Sequence, residues 1–357
     1  MRTMGYDFNL EVRRLTLKED NVFNYLKDYN CIYVDSGRSC IKLISQLAAD
    51  SEVLVPAFSC FAVIYGFSCG VKPVFYAVNE DFTIDFEDLE KKITKDTKGL
   101  YITNYFGRFM SDSDAQRVKE IKEKHNLIVI EDNTQSIYSG EPKVGDYCLS
   151  SIRKWFAVPD GGVIYSKKSL DKIDISGLKK DCKQDDKLYP QILKSMIIKD
   201  LIDCPVSYVA DLFAKVEEEL NYYGDNNEMF LMSDFTEFVY KCNEIYPMIE
   251  KRRENEKYLR TLIKSPYLRQ AISERSPNEC PFNMPMYCEY RDEMWNYLVE
   301  NFNIYPSVLW KTHFYKPVKD IGKTAKMGKE IISFPIDQRY SKEDMEYMAE
   351  AINSFKI

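Results

Sequence analysis

Three stretches of this 357-residue chain place reactive or charge-binding side chains where their types can do chemistry. In SSIRKWFAVPDGG, Ser150 to Gly162, one ammonium group, Lys154, stands between Arg153 and Trp155 ahead of a Pro-Asp-Gly-Gly turn. A lysine held in an apolar pocket beside a second cation is a better nucleophile than a solvated one. In IVIEDNTQS, Ile128 to Ser136, Asp132 ends a very apolar run. A carboxylate there is costly unless it meets a cation. In VDSGRSCIKLI, from Val34, the residues Ser36, Gly37, Arg38 and Ser39 lead into a helical pattern with Ile41, Leu43 and Ile44. Backbone N–H groups at a helix start, with a guanidinium and a hydroxyl beside them, hold a phosphate well. Each stretch also has an ordinary reading: a surface lysine, an aspartate N-cap, and a serine N-cap followed by an exposed arginine.

The elements that must position these groups follow from hydrophobic patterning. Short apolar runs at Val53–Pro56, Lys72–Val78, Gly99–Gly107, Leu127–Asp132 and Gly162–Lys167 read as buried strands. Between them, Asp85 caps a helix with Phe86, Leu89 and Ile93 on one face, and a second helix follows Ser111 with Ala115, Val118 and Ile121. Strand and helix in this alternation predict an α/β layer with a largely parallel sheet, and the three stretches fall at strand ends, where ligands of such sheets collect. A helical insertion is expected over about 169–223 and a long charged helix over Pro247–Ile263. Short strands in PFNMPMYC and IISFPI come next, and Ser341 and Asp344 form a capping pair ahead of Met345, Met348 and Ile352. The expected division is a large domain over 1–245 and a smaller α+β domain over 246–357.

Composition narrows the function classes. A net charge of −7 leaves no basic surplus for nucleic acid. CFAVIYGFSCG, Cys60 to Gly70, is too short to span a bilayer, and MRTMGYDFNLEV lacks the apolar run of a signal peptide. Ten cysteines without C-x-x-C spacing indicate neither a zinc ribbon nor a disulfide framework, so a soluble cytoplasmic protein with reduced thiols and no metal is expected. Only two histidines, His125 and His313, are present, which argues against imidazole-based catalysis. There is no G-x-G-x-x-G or Walker pattern. A phosphate cradle, a buried carboxylate for a ring nitrogen and an activated lysine are together the groups that pyridoxal 5′-phosphate (PLP) requires.

The chain resembles the DegT/DnrJ/StrS sugar aminotransferases, and the resemblance is ordered and covers nearly its whole length. SGRSCIKLI stands in the place of the family's S-G-T-x-A-L segment. VLVPAFSCFAVIYGFSCGVKPVFYAVNEDFTID matches its V-x-V-P-A-F-T-F stretch and the G-A-x-P-V-F-V-D-V segment after it. EDNTQS stands where the family has E-D-A-A-Q, and KWFAVPDGG where it has K-N-L-T-T-G-E-G-G, with identical spacing from lysine to double glycine. IEKRRENEKYL and FPIDQRYSKEDM resemble the R-R-x-N helix and the I-D-Q-R-Y segment of one branch. The resemblance implies the PLP-dependent fold type I architecture, a homodimer, and transfer of an amino group from glutamate to a nucleotide-linked keto sugar in surface-polysaccharide or modified-sugar biosynthesis.

It also implies roles. Lys154 forms the Schiff base with the cofactor and shuttles the proton. Asp132 pairs with the pyridine nitrogen and Gln135 reaches the ring's phenolic oxygen. Gly37, Arg38, Ser39 and either Ser150 or Ser151 hold the phosphate, and Cys60 or Phe61 lies against the ring. Arg38 replaces the family's threonine, Asn133 and Thr134 replace two alanines, and Met229 stands where the family donates an asparagine to the neighbouring subunit. Arg108 and Arg339 are candidates for a substrate carboxylate or diphosphate, or else surface or ion-pair residues. The competing expectations are another fold type I reaction, such as a lyase or amino-acid transaminase, and a non-catalytic or regulatory sugar-nucleotide binder.

Overall fold

Val53 and Val55 are buried on one face of their strand and Leu54 on the other. Burial on both sides is why such runs read as continuously apolar rather than alternating. The computed structural model describes residues 4–5, 16–179 and 228–357. Its strands are β1 (Met4–Gly5), β2 (Asn30–Val34), β3 (Glu52–Pro56), β4 (Lys72–Tyr76), β5 (Thr97–Thr103), β6 (Ile128–Asp132), β7 (Tyr147–Ser150), β8 (Gly162–Ser166), β9 (Arg269–Gln270), β10 (Met284–Tyr287), β11 (Ile304–Tyr305) and β12 (Ile331–Phe334).

Seven of them form one sheet in the order β2-β8-β7-β6-β5-β3-β4. Strands β3 to β7 pair in parallel, while β8 runs against both of its neighbours, β7 and β2. The helix Gly37–Ile44 covers one face, burying Cys40, Ile41, Leu43 and Ile44 against Val53, Val55, Tyr101 and Ile130. On the other face Phe86, Leu89, Ala115, Val118 and Ile121 pack on Leu54, Leu100, Ile102 and Val129, as their helical spacing predicts. Ile93 packs on this core from just beyond the helix Phe86–Lys91. Strand β7 was not expected, because YCLS is too short and unpatterned to stand out from its loop.

Three expected strands end early, the run expected to reach Lys167 by one residue, at Ser166. The run expected to reach Gly107 stops at Thr103, since Phe106 and Gly107 take positive φ values of 53° and 86° in a tight turn. The run expected to reach Val78 stops at Tyr76. The expected helical insertion is absent over 169–179, which form turns and extended chain, and its remainder lies outside the described residues.

A second sheet, β12-β10-β9, is antiparallel. Its apolar face packs with Leu259, Met294, Leu298, Met345, Met348 and Ile352 from the helices Ile245–Leu262, Arg291–Phe302 and Lys342–Ser354. The Ser341 capping box is complete: Ser341 Oγ accepts from Asp344 N–H at 3.3 Å, and Asp344 Oδ2 accepts from Ser341 N–H at 2.8 Å. Among the described residues no helix is long and apolar enough to cross a membrane.

Candidate active site

Ser36 is extended (φ −154°, ψ 159°) and caps the helix Gly37–Ile44, its Oγ accepting from Ser39 N–H at 3.1 Å. A Cβ on Gly37 would stand 2.8 Å from Ser151 Cβ, so only glycine lets the helix start come this close to the lysine segment. Gly37, Ser39 and Ser151 are thereby brought together. Ser150 is turned away from them, its Oγ donating to the Asn133 carbonyl at 3.4 Å. Arg38 is half-buried beside them. Burial, and then the Arg38 charge, hold the Lys42 ammonium below its usual range.

Lys154 lies in a 3₁₀ turn, Ile152–Trp155, that is fastened on both sides to Thr134. Thr134 Oγ1 accepts from Ser151 N–H at 3.0 Å, and the Thr134 carbonyl accepts from Trp155 Nε1–H at 2.9 Å. The double glycine closes the turn for two separate reasons. Gly161 has a φ of +130°, and a Cβ there would meet Tyr240 Oη at 2.3 Å. A Cβ on Gly162 would meet the Ser36 carbonyl oxygen at 2.5 Å, so this glycine brings the turn's exit against the cradle. Asp160 anchors the turn from below by accepting from Ser233 N–H at 2.8 Å, Ser233 Oγ at 2.7 Å and Thr236 Oγ1. Among the described residues no carboxylate pairs with the Lys154 ammonium.

Asp132, at the end of β6, is 6% exposed and has no cation partner among the described residues. Its Oδ2 accepts from Tyr101 Oη at 2.7 Å and its Oδ1 from Thr134 N–H at 2.9 Å. The neighbouring acid, Glu131, is structural: Oε1 accepts from Asn104 Nδ2 at 2.7 Å, and Oε2 from Val144 and Gly145 N–H at 3.1 and 2.8 Å. Asn133 joins the same network, accepting from Asn104 Nδ2 and donating to Tyr165 Oη, each at 2.7 Å. Gln135 is buried with its Oε1 accepting from Phe106 N–H at 2.7 Å, which leaves Nε2 as a donor.

Cys60 lies within the electrostatic reach of both charges. Burial pushes its thiol up, the Lys154 charge opposes this, and the Asp132 charge adds to it. Phe61 is 52% exposed and lies against Tyr65 at 4.5 Å and Tyr315 at 6.1 Å between ring centroids. Arg108 is half-buried and donates to the Asp81 carbonyl at 3.0 Å. Arg339 forms a two-pronged ion pair with Asp337, Nε to Oδ1 at 2.7 Å and Nη2 to Oδ2 at 2.8 Å, the structural alternative of the two expected for it.

Asp35 precedes the cradle, and burial, with the Asp160 charge adding, pushes its carboxyl above the usual range against donors from Ser39, Phe230 and Ser36. A carboxyl raised on folding contributes stability that is present below the unfolded value and lost as pH rises through the folded one. Asp35→Asn should therefore gain on wild type steadily as pH rises from about 4 toward 7. Urea midpoints across that range check it; a constant difference between the two proteins would rule it out.

The model of the DegT/DnrJ/EryC1/StrS aminotransferase family matches residues 13–172, the span that carries the cradle, Asp132 and Lys154. The match covers just under half of the chain, which is similar to that family through this segment. A pleiotropic regulatory protein of Geobacillus stearothermophilus is 29% identical to this chain over 178 residues, 46% of each chain. A GDP-perosamine synthase of Vibrio cholerae is 27% identical over 164 residues, 43% of this chain and 44% of that protein. The matches thus span under half the length of either curated relative. The fold likeness is longer: the PLP form of a structure described as a sugar aminotransferase from Streptococcus pneumoniae aligns with a TM-score of 0.68 at 14% identity, covering 99% of this chain and 98% of that one. That likeness gives this chain the fold type I architecture.

Residue pattern alone does not single out Tyr101 or the double role of Thr134. The signal for Tyr101 was present but undirected. It alternates with Leu100 and Ile102, so it had to face the opposite side of β5. The register that pairs Tyr101 with Ile130 and Thr103 with Asp132 exists only once the sheet is assembled.

Proposed function

We propose that this protein is a PLP-dependent aminotransferase that takes an amino group from glutamate and delivers it to the ketone of a nucleotide-linked sugar. On this reading it works as a homodimer in surface-polysaccharide or modified-sugar biosynthesis. The observation that carries the proposal is that Asp132, 6% exposed, and Lys154, whose turn is tied to Asp132 through Thr134, both lack an ion partner among the described residues. A buried carboxylate without a cation is costly, and a protonated ring nitrogen supplies that cation. The close approach of Gly37 to Ser151 at a helix start fits a phosphate at the other end of the same ligand. The name of the Vibrio relative supports a nucleotide-sugar substrate, and the PLP form of the pneumococcal structure supports the cofactor.

When bound, PLP supplies an electron-withdrawing ring that eases loss of the proton from the amino-bearing carbon. This chain's residues do the rest. The backbone N–H groups at Gly37 and Ser39, the Ser39 and Ser151 hydroxyls and the Arg38 guanidinium hold the phosphate. Asp132 would hold the ring nitrogen, Gln135 Nε2 would donate to the phenolic oxygen, and Cys60 would lie against the ring. Lys154 Nζ takes the proton from one carbon and returns it to another, which a single amine can do where histidine is absent. Thr134, by fastening Ser151 and Trp155, fixes where that amine starts and ends.

A second reading, a regulatory relative without turnover, is favoured by the name of the Geobacillus protein. The visible absorption of the PLP-loaded protein separates the two. Aminotransferase activity predicts a visible band that glutamate removes with release of one equivalent of 2-oxoglutarate. A band that glutamate leaves unchanged would favour the regulatory reading or a different donor, and absence of any band would end the PLP assignment.

A further inference from the structure

Asp132 is held by a residue that the expected site does not include. Tyr101 is fully buried on β5, and its Oη donates to Asp132 Oδ2 at 2.7 Å while Thr134 N–H donates to Oδ1 at 2.9 Å. One donor on each oxygen fixes the plane of the carboxylate and leaves acceptor capacity for a ligand. Burial, and then the Asp132 charge, hold the Tyr101 phenol well above its usual range, so it stays a donor wherever the protein is folded.

We propose that Tyr101 is a positioning residue for the cofactor ring: its hydroxyl keeps Asp132 an oriented carboxylate and limits how strongly that carboxylate draws the proton off the ring nitrogen. The proposal rests on the PLP reading above. A hydrogen bond to a carboxylate spreads its charge and weakens its hold on any other proton. Without the phenol, Asp132 would keep more of the shared proton and the ring would withdraw fewer electrons. The nitrogen contributed by Lys154 would then stay protonated to higher pH.

The test compares wild type with Tyr101→Phe and Tyr76→Phe, each loaded with PLP, by titrating the visible band from about pH 5 to 10. Tyr76 is the internal control: it is equally buried, one strand beyond β3, and its Oη donates to the Tyr101 backbone carbonyl at 3.0 Å, with no bond to Asp132. Loss of the Tyr101 hydroxyl should raise the titration midpoint by about one pH unit, a change of roughly tenfold in proton affinity. Loss of the Tyr76 hydroxyl should leave it in place. If Tyr101→Phe does not fold, 3-fluorotyrosine at position 101 keeps the shape and donates more strongly, and should move the midpoint down. A PLP-loaded Tyr101→Phe with the wild-type midpoint, or equal shifts in both variants, overturns the proposal alone. A wild-type protein that takes up no PLP overturns the cofactor reading and this proposal with it.

Discussion

On the proposed function, replacing Lys154 by alanine should cut amino transfer on the order of 10⁴-fold, because it would remove the amine proposed to carry the proton between carbons. The same change should leave the fold almost untouched. Lys154 is half-buried, has no ion pair among the described residues, and is followed by a turn whose hold comes from Thr134, Trp155, Asp160 and the double glycine. Stability within about 0.5 kcal/mol of wild type is therefore expected, as for other side chains with few partners. Lys154→Arg is the companion variant. It keeps the positive charge beside Cys60 but cannot give up its proton, so it should be as inactive as the alanine form. Single-turnover absorbance with glutamate, alongside urea unfolding, measures both quantities. If Lys154→Ala keeps turnover within tenfold of wild type, the proton is carried by another group and the assignment of Lys154 is wrong.

Arg252→Ala should have the largest effect on stability. Arg252 is 1% exposed, and Nε donates to Gln338 Oε1 at 2.9 Å, while Nη1 donates to the Phe282 carbonyl at 2.7 Å and the Pro281 carbonyl at 3.3 Å. Its guanidinium also lies 4.5 Å from the Trp155 ring, and Gln338 Nε2 donates to the Trp155 carbonyl at 2.9 Å. One side chain thus ties the residue after Lys154 to the segment that leads into the last helix. Removing it strands the buried Pro281 carbonyl, the partly buried Phe282 carbonyl and Gln338 Oε1, and takes from the buried, charged Asp337 one of the two cations that favour its ionised form. The expected loss is about 3–5 kcal/mol. Arg252→Lys should recover less than half of this, because an ammonium cannot bridge carbonyls, an amide and a ring face at once. Urea unfolding of the PLP-free protein gives the number, and a loss under about 1 kcal/mol would show the network to be incidental. A double-mutant cycle with Gln338→Ala should give a coupling of about 0.5–3 kcal/mol.

The motifs at either end of this network show what a sequence can and cannot tell. KRRENEK reads as a solvated helix face by charge, yet Arg252, Asn255 and Glu256 are buried. Asn255 Nδ2 reaches the carbonyls of Ile336, Asp337 and Tyr340 at 3.0–3.2 Å. Glu256 accepts from Arg260 and Arg275. The DQRY segment is thus held by the helix 81 to 85 residues before it. Arg339, a candidate for substrate by residue type alone, spends its guanidinium on Asp337. Charge pattern could not separate these cases, because burial of a charged side chain depends on partners distant in the chain.

The residues themselves determined the elements and the local chemistry. Apolar runs covered on both faces specified the strands, 3.6-residue spacing specified which side of each helix is buried, and the capping residues Ser36, Asp85, Ser111 and Ser341 marked helix starts that the structure keeps. Local sequence also placed Lys154, Asp132 and the Ser36–Ser39 segment at strand and helix ends, because the same short-range patterns that end an element expose its terminal groups. What only the tertiary structure decided was choice among neighbours: Ser151 rather than Ser150 against Gly37, and Tyr101 as the donor to Asp132. Adjacent residues on a strand or turn face opposite ways. Which one meets the ligand is set by sheet register and by contacts tens of residues apart, and short-range patterning carries no information about either.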